Sequence, residues 1–279
     1  MTAFLRPRDL DEALAARAAH PDWMVLAGGT DLMVDANHRA APAGILDLWR
    51  LAAICFVRHA DGAIAIGAGT TWLEVERDPA VLAHAAPLAA AAREIGALQI
   101  QARATLGGNV GTSSPVGDSL PVLLALDAAL EVASPRGRRR VPYRDWCTGY
   151  RTTQLAPDEL IVAAHIPVPA PVPGRAIRTT WRKVGTRRAQ SISKVMGAAA
   201  ITLDGDVVVD ARIALGAIAD RPIRIAAAEA AVRGLRLADA AAAARGAVAS
   251  AIHPIDDVRS TASYRREVAA NLVARFFDR

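Results

Sequence analysis

Ala104-Thr105-Leu106-Gly107-Gly108-Asn109-Val110-Gly111-Thr112-Ser113-Ser114-Pro115-Val116-Gly117-Asp118 is the stretch from which the rest of the chain is read. Adjacent glycines at 107 and 108 let successive backbone N–H groups converge on one point. They also let the main chain approach a ligand with no Cβ in the way, and both positions read as requiring φ > 0. A second glycine pair stands upstream in Leu26-Ala27-Gly28-Gly29-Thr30-Asp31-Leu32, after the short apolar strand Met24-Val25-Leu26 and ahead of a possible helix. Neither stretch contains a lysine or arginine. An anion held here would be stabilised by backbone dipoles and hydroxyls, which suits a dinucleotide pyrophosphate better than a triphosphate with Mg²⁺. Taken singly, each stretch also reads as a tight turn.

Outward from these two stretches, the patterning alternates helix and strand. Asp9 is an N-cap for an amphipathic run from Leu10 to Ala19 that Pro21 ends, and Gly44 to Leu48 reads as a strand. Ala63 to Gly67 alternates in strand fashion, Thr71 to Arg77 opens a helix, and helical spacing returns from Leu88 to Ile95. Ala129 to Val141 reads as a hairpin around Pro135 to Arg138. Pro167, Pro169, Pro171 and Pro173 cannot continue a helix or a central strand, so they mark a connection. Beyond it, strands at Ala198 to Leu203 and Val207 to Leu215 flank the Asp204-Gly205 turn. Helical stretches follow near Ile225 to Arg233, Ala238 to Ala249 and Ser263 to Phe277. The class is α+β.

Composition narrows the function. The 279 residues are 52% hydrophobic and 22% charged, enough apolar surface for a packed core. Aromatics are 4%, which argues against a binder that stacks bases on rings. The net charge of +5 is spread along the chain, so it does not mark a polyanion site. Cys55 and Cys147 are the only cysteines, too few for an iron–sulfur cluster, which takes about four thiolates. The six histidines are scattered singly, and no HExxH, GxSxG or P-loop is present. Met1 to Pro7 has no signal-peptide pattern, and no apolar stretch is long enough for a bilayer span, so a soluble cytoplasmic protein is expected.

Four ordered motifs together resemble one family. AGGTDL at Ala27 to Leu32, ATLGGNVGTSSPVGDSLPVLLALDA at Ala104 to Ala128, TGYRTTQLAPDELIVAAHIP at Thr148 to Pro167 and KVGTRR at Lys183 to Arg188 are similar to the FAD-binding (medium) subunit of molybdenum hydroxylases, the xanthine dehydrogenase and carbon monoxide dehydrogenase group. The resemblance implies an α+β fold: a PCMH-type FAD-binding fold of two subdomains, as in vanillyl-alcohol oxidase, then a βββααα tail domain. Its units would be 1–55, 56–168 and 174–279. It implies FAD bound by Val25, Leu26, Ala27, Gly28, Gly29, Thr30, Asp31 and Leu32 on one side. Thr105, Gly107, Gly108, Asn109 and Ser114 would form the other side. Asp118 would accept a hydrogen bond from the cofactor, Ile161 would touch it, Lys183 would lie near the flavin, and Ile95 replaces a phenylalanine of the animal enzymes. Read from residues alone, Asp118 is equally a turn or capping aspartate, and Lys183 a surface lysine of an edge strand.

The family also implies partners: a large subunit with molybdopterin, where substrate is oxidised, and a small subunit with two [2Fe-2S] clusters. This chain would pass their electrons through FAD to oxygen, a quinone, a carrier protein or NAD⁺, with no catalytic acid or base of its own. After KxxxRR the xanthine dehydrogenases usually carry acids, whereas this chain reads Arg187-Arg188-Ala189-Gln190-Ser191-Ile192-Ser193-Lys194. Fewer negative charges beside a flavin disfavour cationic NAD⁺ as the acceptor. The alternatives are a stand-alone reductase on the same fold, like the UDP-N-acetylenolpyruvoylglucosamine reductases, and a flavin-free structural subunit.

Overall fold

The computed structural model describes residues 2–36, 38, 40–187 and 190–278. Strands β1 (Ala3–Leu5), β2 (Met24–Leu26) and β3 (Gly44–Asp47) make a parallel sheet in the order β1-β3-β2. Parallel neighbours need crossovers, and helix α1 (Leu10–Ala19) supplies one between β1 and β2. The Asp9 carboxylate accepts the Glu12 N–H at 2.8 Å, the N-cap the sequence announces. Leu10, Ala13 and Leu14 of α1 bury against Leu46, Leu48, Leu160 and Val162.

The second sheet is antiparallel. It takes β4 (Val57–Ala60), β5 (Ala63–Gly67), β6 (Ala129–Ser134), β7 (Gly137–Pro142) and, after the short hairpin β8 (Cys147–Gly149) and β9 (Thr152–Thr153), β10 (Leu160–Pro167). Its order is β4-β5-β10-β6-β7. Between β5 and β6 run α2 (Trp72–Arg77), α3 (Pro79–His84), α4 (Ala86–Glu94), α5 (Leu98–Gln101), α6 (Leu106–Thr112) and α7 (Leu120–Ala125), and α8 (Tyr143–Trp146) follows β7. Thr71 and Glu74 form a reciprocal capping box at the start of α2.

Pro169, Pro171 and Pro173 lie between β10 and the third sheet. That sheet is β11 (Arg175–Val184), β12 (Val195–Asp204), β13 (Val207–Gly216) and β14 (Ile223–Arg224), antiparallel in that order, followed by α9 (Ala226–Val232), α10 (Leu237–Ala251) and α11 (Ala262–Ala274). It is buried on both faces. Ala198, Ala200, Ala214 and Trp181 join the cluster that holds Leu88 of α4 and Val122 and Leu123 of α7. Ala199, Ile201, Ile213 and Leu215 point the other way, onto Ala244, Val248 and Val273. Alternation of side chains along a strand produces this division, and the alanines let α7 approach closely. From residues alone β11 was legible only as an edge strand at Lys183, because its polar residues occupy both faces.

A half-exposed ion pair ties β7 to the start of β10. Arg139 donates to both oxygens of Glu159 at 2.7 Å, and the Ala156 N–H donates to Glu159 Oε2 at 2.9 Å. The bond from Arg139 holds the Glu159 carboxyl below its ordinary value, against the opposing effect of burial. A depressed folded value means a contribution present above the unfolded value of about 4.3 and lost as pH falls through the folded one. Melting scans from pH 7 to 3 are expected to show an acid-side fall, and Glu159→Gln to lower the neutral melting temperature while flattening that fall.

Candidate functional site

The chain leaving β2, the residues after β5 and the start of α6 surround a cleft of about 700 Å³, within the range of cofactor sites. Gly28 is what lets its two sides meet: a Cβ there would stand 1.8 Å from the Arg103 carbonyl oxygen. Gly29 follows with φ of 78°, the left-handed region that glycine enters without strain. Instead of an α-helix, the loop enters one 3₁₀ turn, Leu32–Asp35, with the Met33 N–H on the Gly29 carbonyl at 2.9 Å. The backbone N–H groups of Gly28, Gly29, Thr30 and Asp31 have no hydrogen-bond partner among the described residues. The first glycine stretch therefore keeps its donors available to a ligand.

The second stretch behaves differently. Residues 106–112 are helix α6, and Gly107 and Gly108 have no positive φ, which corrects the sequence expectation. Thr105 is the N-cap, its Oγ1 accepting the Gly108 N–H at 3.1 Å. The Leu106 N–H donates to the Thr70 carbonyl at 3.0 Å and the Gly107 N–H to the Ala68 carbonyl at 2.7 Å. These donors are already satisfied within the chain. Gly107 is glycine because a Cβ would meet Ala68 at 2.6 Å, so it locks α6 onto the end of β5. Asn109 Oδ1 accepts from Ser119 Oγ at 2.6 Å.

Of the residues named from sequence, Val25, Ala27, Gly28, Gly29, Thr30, Asp31, Leu32, Ile95, Thr105, Gly107, Gly108, Asn109, Ser114 and Ile161 line this cleft; Leu26, Asp118 and Lys183 do not. Asp118 is no helix cap, and Lys183, although on edge strand β11, is no surface lysine. They form a buried pair, Lys183 Nζ to Asp118 Oδ2 at 2.6 Å, with the lysine side chain 3% exposed. Ser193 Oγ donates to Asp118 Oδ1 at 2.5 Å, and Trp181 Nε1 donates to the Asp118 carbonyl at 3.0 Å. Burial pushes the Asp118 carboxyl above its ordinary value, and Lys183 and Ser193 offset part of that push. Arg188 and Ala189, in the segment read for its lack of acids, lie outside the described residues.

Arg17, Trp23, Trp72 and Arg151 are among the lining residues missed from sequence. They come from α1, the turn that leads into β2, α2 and the β8–β9 turn, and nothing in their own neighbourhoods points them at the glycine stretches. Arg17 donates to the Trp23 carbonyl at 3.0 Å, and its Nε–H is buried without a partner, as is the Trp72 Nε1–H. Arg151 adopts φ of 52°, strained for a non-glycine residue, and stands 3.8 Å from the Asp31 carboxylate. Thr112 Oγ1 donates to that same carboxylate at 3.2 Å. The cations absent from the glycine stretches thus enter the cleft from other elements.

A family model described as the FAD binding domain in molybdopterin dehydrogenase matches residues 1–169. The chain belongs to that FAD-binding family. A second model, the CO dehydrogenase flavoprotein C-terminal domain, matches residues 181–279. The chain is 35% identical to the xanthine dehydrogenase FAD-binding subunit of Escherichia coli O157:H7 over 224 residues, 80% of this chain and 76% of that protein. It is 31% identical to the glyceraldehyde dehydrogenase medium chain of Sulfolobus acidocaldarius over 277 residues, 99% and 96% of the two chains. Among solved structures, quinoline 2-oxidoreductase from Pseudomonas putida 86 superposes with a TM-score of 0.91 at 25% identity, covering 99% of this chain and 95% of that one.

As a member of the FAD-binding family, the chain is an oxidoreductase subunit of the xanthine and carbon monoxide dehydrogenase type, and its cleft fits the dinucleotide. Free backbone donors at Gly28 to Asp31 and two guanidinium groups suit a diphosphate, and the apolar side chains of Ile95, Ile100, Leu155 and Ile161 suit rings. Among the described residues, no helix is long and apolar enough to cross a membrane.

Proposed function

We propose that this chain is the electron-transfer subunit of a multi-subunit molybdenum hydroxylase. It would take electrons from the [2Fe-2S] clusters of a small partner subunit and deliver them to an external acceptor, while a large molybdopterin subunit oxidises the substrate. The observation that carries this reading is chemical: the cleft wall contains no histidine, cysteine, tyrosine or lysine among the described residues, and its two carboxylates stand against arginines, Asp31 by Arg151 and Glu159 by Arg139. A stand-alone reductase would need a proton donor there; a relay does not. The relatives named as medium chains or FAD-binding subunits support membership of a larger assembly. FAD, when bound, supplies a carrier that takes electrons singly or in pairs.

The chain's own residues would hold that carrier in place. The N–H groups of Gly28 to Asp31 with Arg17 and Arg151 would balance the diphosphate charge, and the carboxylate of Asp31 would hold Arg151 at the mouth. Val25, Ala27, Leu32, Thr105, Gly107, Gly108, Asn109 and Ser114 would shape the walls, with Ile95 and Ile161 excluding water from the rings. Leu26, Asp118 and Lys183 would support from outside the cleft. The three sheets favour units at 1–55, 56–168 and 174–279, and a cytoplasmic setting belongs to the same reading.

The acceptor is tested by reducing the holoenzyme with dithionite and following flavin reoxidation. Because residues 187–194 carry no acid, oxygen or a quinone is expected to reoxidise it at least tenfold faster than NAD⁺. Rapid reoxidation by NAD⁺ would remove that assignment.

A further inference from the structure

Strand β11 ends the third sheet, and its outer edge pairs with no other strand among the described residues. Alternate residues of this ten-residue strand therefore turn their backbone donors and acceptors outward along one open line. Long open edges recruit other strands unless they are covered. Side-chain alternation puts Arg178, Thr180 and Arg182 on the face toward α11, opposite to Trp181. There they meet Asn271, Leu272, Arg275 and Phe276 across a trough of about 1100 Å³.

The trough has an apolar floor and a cationic rim. Arg178 donates one hydrogen bond, to the Asp278 backbone carbonyl at 2.5 Å. The guanidinium groups of Arg182 and Arg275 make no ion pair or hydrogen bond among the described residues. Asp278, which also lines the trough, is one carboxylate against three arginines. Nothing in the FAD cleft uses this surface.

We propose that β11 is a docking edge for an acidic, extended polypeptide segment. That segment adds as a fifth strand and presents carboxylates at alternate positions to Arg178, Arg182 and Arg275. Two requirements select this occupant over a free anion. Main-chain pairing gives affinity along the edge, and Arg178 and Arg182, four apart on one face, give charge recognition at every second same-face position of an added strand. Neither requirement depends on the electron-relay reading.

The test uses the FAD-loaded full chain and a labelled, end-capped decapeptide of alternating glutamate and valine. Anisotropy at low salt is expected to give a dissociation constant on the order of tens of micromolar, and an alternating lysine–valine peptide is expected not to bind. Arg178→Glu combined with Arg182→Glu should weaken binding at least tenfold with flavin content and melting temperature unchanged. Arg182→Glu alone, which breaks no contact in the chain, should weaken it severalfold. Backbone N-methylation of the peptide should abolish binding, and hydrogen exchange should slow along residues 175–184 when the unmethylated peptide is present. Absence of glutamate-peptide binding, indifference to either variant, full competition by millimolar inorganic phosphate with no N-methyl effect, or burial of the edge by a second copy of this chain would each overturn the proposal.

Discussion

Gly28→Ala is expected to yield a protein that purifies without flavin and melts well below the parent. The methyl carbon would stand 1.8 Å from the Arg103 carbonyl oxygen and 3.0 Å from the Ala104 Cα, both backbone atoms that no rotamer change can move aside. The loop after β2 must then lift off the segment that leads into α6. Overpacking of this kind costs about 1–3 kcal/mol, and a main-chain clash belongs at the upper end. In a chain of this size that is about 2–4 °C of melting temperature for each kcal/mol. The larger loss is in binding, because lifting the loop turns the free N–H groups of Gly28 to Asp31 away from a common point. A drop in FAD affinity on the order of 100-fold is expected, about 2.7 kcal/mol. Gly246→Ala is the control: it lies within α10 with nothing within 4 Å of the added carbon, and should leave flavin content intact while gaining up to about 1 kcal/mol of helix propensity. Visible absorbance and thermal melting of the two variants decide the point.

Lys183→Met should be the most destabilising single change in the third sheet. It leaves the Asp118 carboxylate buried with only Ser193 as a side-chain partner. Removing one member of a buried ion pair costs about 3–5 kcal/mol, whereas replacing both with apolar residues is often close to neutral. Lys183→Met with Asp118→Leu is therefore expected to recover most of the loss. The single variant also has a distinctive pH dependence. A carboxyl whose folded value is raised above its unfolded value of about 3.9 is destabilising once ionised, so the penalty is absent at low pH and grows as pH rises from the unfolded to the folded value. The melting temperature of Lys183→Met should then rise as the pH falls through the raised folded value toward the unfolded one, opposite in sign to the acid-side fall linked to Glu159. Loss of FAD with no loss of stability would instead mean that Lys183 serves the cofactor directly.

These two cases show where the sequence was readable and where it was not. Thr105, Gly107 and Gly28 drew attention because glycine pairs near a threonine are a local signal, and all three line the cleft. The positive φ expected of Gly107 and Gly108 is absent, and the close approach that requires Gly28 involves the Arg103 carbonyl, on a segment 75 residues away. Asp118 and Lys183 both drew attention, yet their pairing spans 65 residues and leaves no trace in either neighbourhood. Elements with strong local rules, such as the Asp9 cap, the β6–β7 hairpin and the α10 run, were placed closely. Arg17 stands outside every motif and Arg151 stands in one far from the glycine loop, since only tertiary folding brings α1 and the β8–β9 turn to that loop.

Titrating FAD into the flavin-stripped full chain, with tryptophan emission as the readout, probes the whole account at its base. Saturation at one FAD per chain is expected, with FMN binding far more weakly because it lacks the diphosphate that Gly28 to Asp31 would hold. A chain that ignores FAD, or takes FMN and FAD equally well, would contradict it.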